Sequence, residues 1–162
     1  MLMVKTTLGK SSIHGIGLFA AQFIPKGTVT WRFMPELDLI VSKDILLQLS
    51  EPARIQFLNY CYVDKNTQNF ILCFDDERFI NHSDVDFNIA QSNSESEIEG
   101  VEVAVRDIQE GEELICNYTH FDFDAERKLS KSDIYSYTIE DASERSEKTK
   151  AFITSLLNTA SD

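Results

Sequence analysis

Apolar and polar residues alternate with a short period along most of this chain, and glycine, proline or serine interrupts the alternation every few residues. Residues 4–8 read as a short first strand, and residues 9–17, rich in Gly and Ser, as a loop. Residues 18–23 are apolar again and run into a turn at Ile24-Pro25-Lys26-Gly27, where Pro25 presets the backbone and Gly27 tolerates a positive φ. Residues 28–33 alternate and favour strand, as do residues 37–41. Ser42 stands as a helix N-cap ahead of Ile45, Leu46 and Leu49, and Ser50 as the cap of a second helix with Pro52 in its first turn. Ile55 and Leu58 give that helix an apolar stripe edged by Phe57. Residues 59–63 and 69–74 are the arms of a hairpin around Asp64-Lys65-Asn66-Thr67, which Asp75-Asp76-Glu77 ends. Residues 91–100 are Ser- and Glu-rich and read as a mobile loop; residues 101–105 and 113–118 are the last strands, joined through Glu110-Gly111.

Many short strands, few helices and glycine turns predict a β-rich α+β domain. No alternating strand–helix–strand pattern is present, which excludes a doubly wound nucleotide fold. Ile108-Gln109-Glu110-Gly111-Glu112 echoes Ile24-Pro25-Lys26-Gly27-Thr28, as two similar turns or as an internal kinship. The character changes after Tyr118, dividing the chain into a domain over residues 1–123 and an extension over 124–162. Residues 126–147 are charged and Ser-rich, whereas 151–157 are apolar, with Phe152 and Leu156 four apart. Glu144 and Lys148 can pair on one helix face, so a C-terminal helix is expected over about residues 143–158. It would pack on the domain, cover a substrate groove or serve a homodimer.

At 162 residues and 43% hydrophobic, the chain is sized for one domain with a real core. No run reaches the length of a membrane-spanning helix, and residues 1–10 lack the apolar stretch of a signal peptide. A soluble intracellular protein with no membrane role is the expectation. Cys61, Cys73 and Cys116 sit singly among apolar residues and form no Cys-x-x-Cys pair, so no metal site is expected and buried free thiols are. The net charge of −12 argues against direct nucleic-acid binding, which needs a basic face. It suits a basic partner drawn by long-range field, although acidity also serves solubility alone.

Few residue groups are placed to carry chemistry. Gly15-Ile16-Gly17 lets backbone approach a ligand but lacks the third glycine of a dinucleotide loop. Asn81 and His82 offer both donors and acceptors, and the Asn81 amide can bridge the amino and carboxylate groups of an amino-acid-like ligand. Tyr118 ends an apolar strand, with Phe121 and Phe123 just beyond it as apolar walls. Ser83 beside His82 is no catalytic triad, because neighbours on a strand point to opposite faces. Asp75, Asp76 and Glu77, with Glu110, Glu112 and Glu113, are expected to be solvated turns rather than a hydrolytic pair.

Taken together, these strings resemble the SET-domain lysine methyltransferase family. Gly15-Ile16-Gly17-Leu18-Phe19-Ala20 is similar to its opening glycine motif, and Ile24-Pro25-Lys26-Gly27 to the turn that follows. Arg78-Phe79-Ile80-Asn81-His82-Ser83 matches its Arg-Phe-x-Asn-His-Ser string, and Ile108 to Tyr118 resembles its Ile-x-x-Gly-Glu-Glu-Leu strand ending in tyrosine. The resemblance implies several small sheets with a threaded pseudoknot, in which the strand ending at Tyr118 passes through a loop to meet Asn81-His82. It implies S-adenosylmethionine as cofactor, cradled by backbone around Ile16, Gly17 and Leu18. Asn81 would bind the methionine moiety, His82 would hold adenine through its main chain, and Arg78 would buttress the site. Tyr118 would be the catalytic tyrosine; Phe121 and Phe123 would flank the cofactor. Phe33, Phe121 and Tyr62 are the candidates for the substrate-channel walls.

The chain departs from the family at two places. Asn117 stands where Asp usually precedes the tyrosine, and the family's Asn-His-Ser-Cys-x-Pro-Asn becomes Asn81-His82-Ser83-Asp84-Val85-Asp86-Phe87-Asn88, one residue longer and without Cys or Pro. No cysteine-rich segment follows Tyr118, as in small stand-alone members from bacteria and viruses. The expected function is protein-lysine N-methylation of a basic protein or peptide, including histone-like proteins. The alternatives are a catalytically silent binding module of the same fold, and a methyltransferase for a non-lysine or small-molecule substrate.

Overall fold

The computed structural model describes residues 1–92 and 100–129, together with Ala151 and Thr154. The expected C-terminal helix lies outside the described residues apart from Ala151 and Thr154, which are helical, and most of the expected loop over 91–100 lies outside them too.

The described chain forms four small sheets. Strands β1 (Thr6–Lys10) and β2 (Ile16–Ala20) make an antiparallel pair. β3 (Val29–Arg32) joins β8 (Ile89–Ser92) and β9 (Val101–Ala104) in the order β3-β9-β8. β4 (Leu39–Val41), β5 (Tyr62–Val63) and β6 (Phe70–Leu72) form a third sheet in the order β4-β6-β5. β7 (Asn81–His82) and β10 (Ile115–Cys116) pair in parallel, with Ile115 beside Asn81 and Cys116 beside His82. Two helices, α1 (Lys43–Gln48) and α2 (Glu51–Tyr60), separate β4 from β5, and α3 (Ala125–Leu129) follows β10. This is the β-rich α+β architecture that the short periodicity predicts. No helix among the described residues is long and apolar enough to cross a membrane.

Local chemistry explains most boundaries. Ser42 caps α1 by accepting from the Ile45 amide at 3.4 Å, as expected, whereas Ser50 precedes α2 without a side-chain cap bond and Pro52 sits in that helix's first turn. α2 continues to Tyr60, so the first hairpin arm is shorter than its apolar pattern suggests. The Asp64 carboxylate accepts from the amides of Asn66 and Thr67 and from the Thr67 hydroxyl, which closes the β5–β6 turn. The two echoing turns lie against each other: Ile24 and Ile108 exchange both backbone bonds at 2.9 Å. Gly27 and Gly111 take φ of 84° and 88°, a region where side chains are strained.

The main core gathers Leu18, Ala20, Ile24, Ile80, Ile89, Ile108, Leu114 and Cys116 between these turns and the β7–β10 pair. A second cluster joins α1 and α2 to β5 and β6 through Leu46, Leu58, Val63 and Phe70. A third holds Trp31, Phe33, Ile71 and Cys73. All three cysteines are free and buried.

The acidic string Asp75-Asp76-Glu77 is not simply a solvated turn. Glu77 and Glu102 are buried side by side, and desolvation together with the neighbouring Glu102 carboxylate pushes the Glu77 carboxyl well above the usual range. Burial beside Glu102 thus favours the protonated form at this pair. The segment carrying Glu77, Asp76–Phe79, is a short 3₁₀ turn capped by Asp75. It leads directly into β7.

Candidate cofactor and methyl-transfer site

The site forms where β10 is laid into the loop between Asn81 and Asn88. On one side β10 pairs with β7, and the Ser83 amide donates to the Cys116 carbonyl at 3.1 Å. On the other, the Asn88 backbone amide donates to the Ile115 carbonyl at 2.9 Å. The Asn88 side chain then uses both ends: Nδ2 donates to the Glu113 carbonyl at 2.8 Å, and Oδ1 accepts from the Ile115 amide at 2.9 Å. Asn88 is 1% exposed, so it acts as an internal clamp on the strand. The extra residue before it is absorbed outside: Ser83 Oγ accepts from the amides of Val85 and Asp86, and Asp84, Val85 and Asp86 bulge into solvent.

This crossing brings Tyr118 to Asn81 and His82. The Tyr118 amide donates to His82 Nδ1 at 3.1 Å, and the Tyr118 hydroxyl donates to the Ile80 carbonyl, so the tyrosine brackets Asn81 from both sides in sequence. The His82 and Tyr118 ring centroids are 5.2 Å apart. Because Nδ1 accepts, the neutral imidazole carries its proton on Nε2. Partial burial, the leading effect, lowers the His82 pKa; Asp84 opposes this and His120 adds to it. Asn117, the departure from the family's Asp, caps the 3₁₀ turn Tyr118–His120: its Oδ1 accepts from the Thr119 amide at 3.0 Å and hydroxyl at 2.7 Å. An acceptor oxygen is all this requires, and Asn supplies one without a charge.

An aromatic group extends from Tyr118. Phe121 meets Tyr118 edge-on at 6.2 Å, and Tyr62 meets Phe121 edge-on at 5.4 Å. The segment holding Phe121 is stapled to β5: Asp122 Oδ1 accepts from the Val63 amide at 3.0 Å, and the Phe123 amide donates to the Val63 carbonyl at 2.7 Å. Lys128 on α3 completes the staple with an ion pair to Asp122 Oδ2 at 2.5 Å and a bond to the Cys61 carbonyl. This device ties the segment beyond Tyr118 to the domain without a cysteine-rich tail.

The other expected site residues are placed as follows. Gly17 and Leu18 are buried in β2, while Ile16 is exposed at its start and presents its carbonyl to Asn81. Phe33 is buried beside Trp31, in a cluster on which Tyr62 of the aromatic group also packs. Phe123 is 58% exposed, so its backbone and not its ring joins the staple. Arg78 is exposed over the Phe79 ring, at 5.4 Å from its centroid. With Phe57, Tyr60, Leu72 and Phe79, Arg78 lines an open cavity of about 510 Å³ beside α2. The patterning hid the role of Glu113, which was grouped with solvated turns. Its carboxylate accepts from Asn81 Nδ2 at 2.7 Å and from the Ser11 hydroxyl at 3.0 Å. The one sequence signal for it is Gly17, where a Cβ would lie 2.2 Å from Glu113 Oε1.

A match to the SET domain family covers residues 15–119 of this fold, and the chain belongs to that family. No curated protein sequence matches it. Among solved structures, a candidate histone methyltransferase of Plasmodium falciparum is similar at 22% identity and a TM-score of 0.50, over 74% of this chain and 96% of that one. The Chaetomium thermophilum Polycomb Repressive Complex 2 bound to GSK126 is similar at 24% identity and a TM-score of 0.54, over 78% of this chain and 17% of that one. The same complex in an autoinhibited conformation, bound to S-adenosylmethionine, gives 23% identity and a TM-score of 0.52, over 78% of this chain and 16% of that one. The chain thus spans a small part of the Polycomb chains, and at these identities the likeness is one of fold.

Proposed function

We propose that the protein is an S-adenosylmethionine-dependent protein-lysine N-methyltransferase acting on a basic protein or peptide. The observation that carries this reading is the convergence of Asn81, His82 and Tyr118 at the β7–β10 crossing. A fold shared with a chain solved bound to S-adenosylmethionine agrees with it.

The residues present fit the amino-acid end of that cofactor. Asn81 Nδ2 is consumed by the His14 and Ile16 carbonyls and the Glu113 carboxylate, while its Oδ1 has no partner among the described residues and is an acceptor suited to an ammonium group. Ile16, Gly17 and Leu18 supply the adjoining backbone. His82 would flank adenine, and Arg78 would buttress the site. When bound, the cofactor supplies an electrophilic methyl group on a sulfonium sulfur.

The protein's own part is to prepare the amine. A lysine with a pKa of ~10.4 is protonated in neutral water and must lose its proton to act as a nucleophile. Apolar aromatic surroundings disfavour the charged amine. Tyr62, Phe121 and Tyr118 offer ring surfaces that also accept a methylammonium product by cation–π attraction. The Tyr118 oxygen is fixed by its bond to Ile80 and can orient the amine lone pair, so catalysis rests mainly on alignment. The net charge of −12 favours encounter with a basic substrate.

The test is transfer of radiolabel from S-adenosylmethionine to a panel of basic proteins, with calorimetry of cofactor binding alongside. Label on lysine supports the proposal. Cofactor binding with no transfer across the panel would point to a silent binding module, and label on arginine or on a metabolite would move the reading to another substrate. Absence of both cofactor binding and transfer would overturn it.

A further inference from the structure

Asn81 stands in an unusual environment for an amide. All three groups facing its Nδ2 are pure acceptors: the His14 carbonyl at 3.1 Å, the Ile16 carbonyl at 3.2 Å and Glu113 Oε1 at 2.7 Å. The reverse orientation would set the amide oxygen against three oxygens, so the nitrogen must face inward. Glu113 is the shortest of the three and the only charged one, and a bond to an ionised acceptor is about twice as strong as a neutral one. Glu113 is itself held. Ser11, buried at 4% exposure, donates to its Oε2 at 3.0 Å, and Gly17 leaves the space into which its Oε1 fits. Four separated chain segments, at residues 11, 14–17, 81 and 113, therefore combine to fix one amide rotamer.

We infer that Glu113 is a positioning residue. By locking Asn81 with its oxygen outward, it makes the site selective for ligands that carry an α-ammonium group. This rests on the cofactor reading above and deepens it: the site distinguishes the amino-acid end of its ligand through a carboxylate that does not touch the ligand. The clash that a Cβ at Gly17 would make with Glu113 assigns Gly17 to the same device.

The experiment compares two probes by calorimetry. S-adenosylhomocysteine carries the α-ammonium group, and its desamino analogue, 5′-S-(3-carboxypropyl)-5′-thioadenosine, carries the same nucleoside and carboxylate without it. The wild-type protein is expected to prefer the first by about 10- to 100-fold, the size of a hydrogen bond between a charged and a neutral group. Glu113→Ala should remove most of that preference while leaving the affinity for the desamino analogue within about threefold, and Glu113→Gln, which keeps an acceptor oxygen, should restore part of it. Gly17→Ala, which displaces the carboxylate without removing it, should lose the same preference, whatever its own effect on the affinity for the nucleoside. In an Asn81→Ala background Glu113→Ala should have no further effect on the preference. If Glu113→Ala fails to fold, the Glu113→Gln and Gly17→Ala proteins decide the matter in the same assay. Equal losses for both probes, or an unchanged preference in folded variants, would overturn the role of Glu113 while leaving the cofactor reading intact. A wild-type protein that binds neither probe overturns both.

Discussion

The backbone amide of Tyr118 donates to Nδ1 of His82 across the β7–β10 crossing, so the exit of the last strand is tied to the imidazole of the first polar string. That bond exists only while Nδ1 is unprotonated. Burial lowers the His82 pKa in the fold, so the folded protein binds fewer protons than the unfolded chain below the ordinary value of ~6.5. Stability is then fully present above about pH 6.5 and is lost as pH falls through the lowered folded value. Thermal unfolding between pH 8 and 5 should show the fall. His82→Gln, whose oxygen can accept from the same amide but does not titrate, should flatten it; an unchanged slope would remove His82 as its source.

Tyr118→Phe deletes the hydroxyl bonded to the Ile80 carbonyl but keeps the ring among His82 and Phe121. Methyl transfer should fall by about 10²-fold or more, the scale of a misaligned reacting group, with cofactor affinity little changed. Single-turnover transfer and calorimetry separate the two effects. A drop in affinity alone would assign Tyr118 to binding.

Asn88 is the clamp on β10, its amide nitrogen bonded to the Glu113 carbonyl just before the strand and its oxygen to the Ile115 amide within it. Asn88→Ala strands a buried carbonyl and a buried amide, each worth about 1–3 kcal/mol. Urea unfolding should report a loss of about 2–4 kcal/mol, together with loss of cofactor binding. A loss below about 0.5 kcal/mol, typical of surface changes, would refute the clamp.

Lys128→Met tests the staple behind Phe121. Asp122 and Lys128 side chains are 2% and 11% exposed, and breaking such a pair leaves a buried charge. Asp122 retains the Val63 and Asp124 amides as donors, so the expected cost is about 3 kcal/mol, at the low end for buried pairs. Hydrogen exchange at Val63 and Phe123 should accelerate as well. Stability unchanged within about 1 kcal/mol would mean the pair behaves like a surface contact.

Burial and the neighbouring Glu102 carboxylate raise the Glu77 pKa. A carboxyl raised in the fold binds protons that the unfolded chain has released, so stability falls as pH rises above the usual carboxylate range. Glu77→Gln supplies an N–H in place of the carboxyl proton. It should raise the unfolding midpoint at pH 7–8 and lose that advantage near pH 4. A variant destabilised equally at both values would argue against a raised Glu77 pKa.

Much of this was legible in the sequence because it depends on local rules. Short alternating runs gave the strands, Pro25-Lys26-Gly27 and Glu110-Gly111 the turns, and Ser42 the first cap. Asn81, His82 and Tyr118 stood out as polar residues on apolar strings. What the pattern misassigned depends on partners remote in sequence. Glu77 and Glu113 read as solvent-facing charges but are turned inward.

Residue types and their order thus determined the β-rich class, the turns and the identity of the polar residues that could meet a ligand. The tertiary structure decided which of them meet, because β10 lies in the loop between Asn81 and Asn88 and that crossing joins segments more than thirty residues apart. It also decided which way an amide points. Asn81 is the same residue in either rotamer, and only three oxygens converging from residues 14, 16 and 113 force its nitrogen inward and leave its oxygen for a ligand.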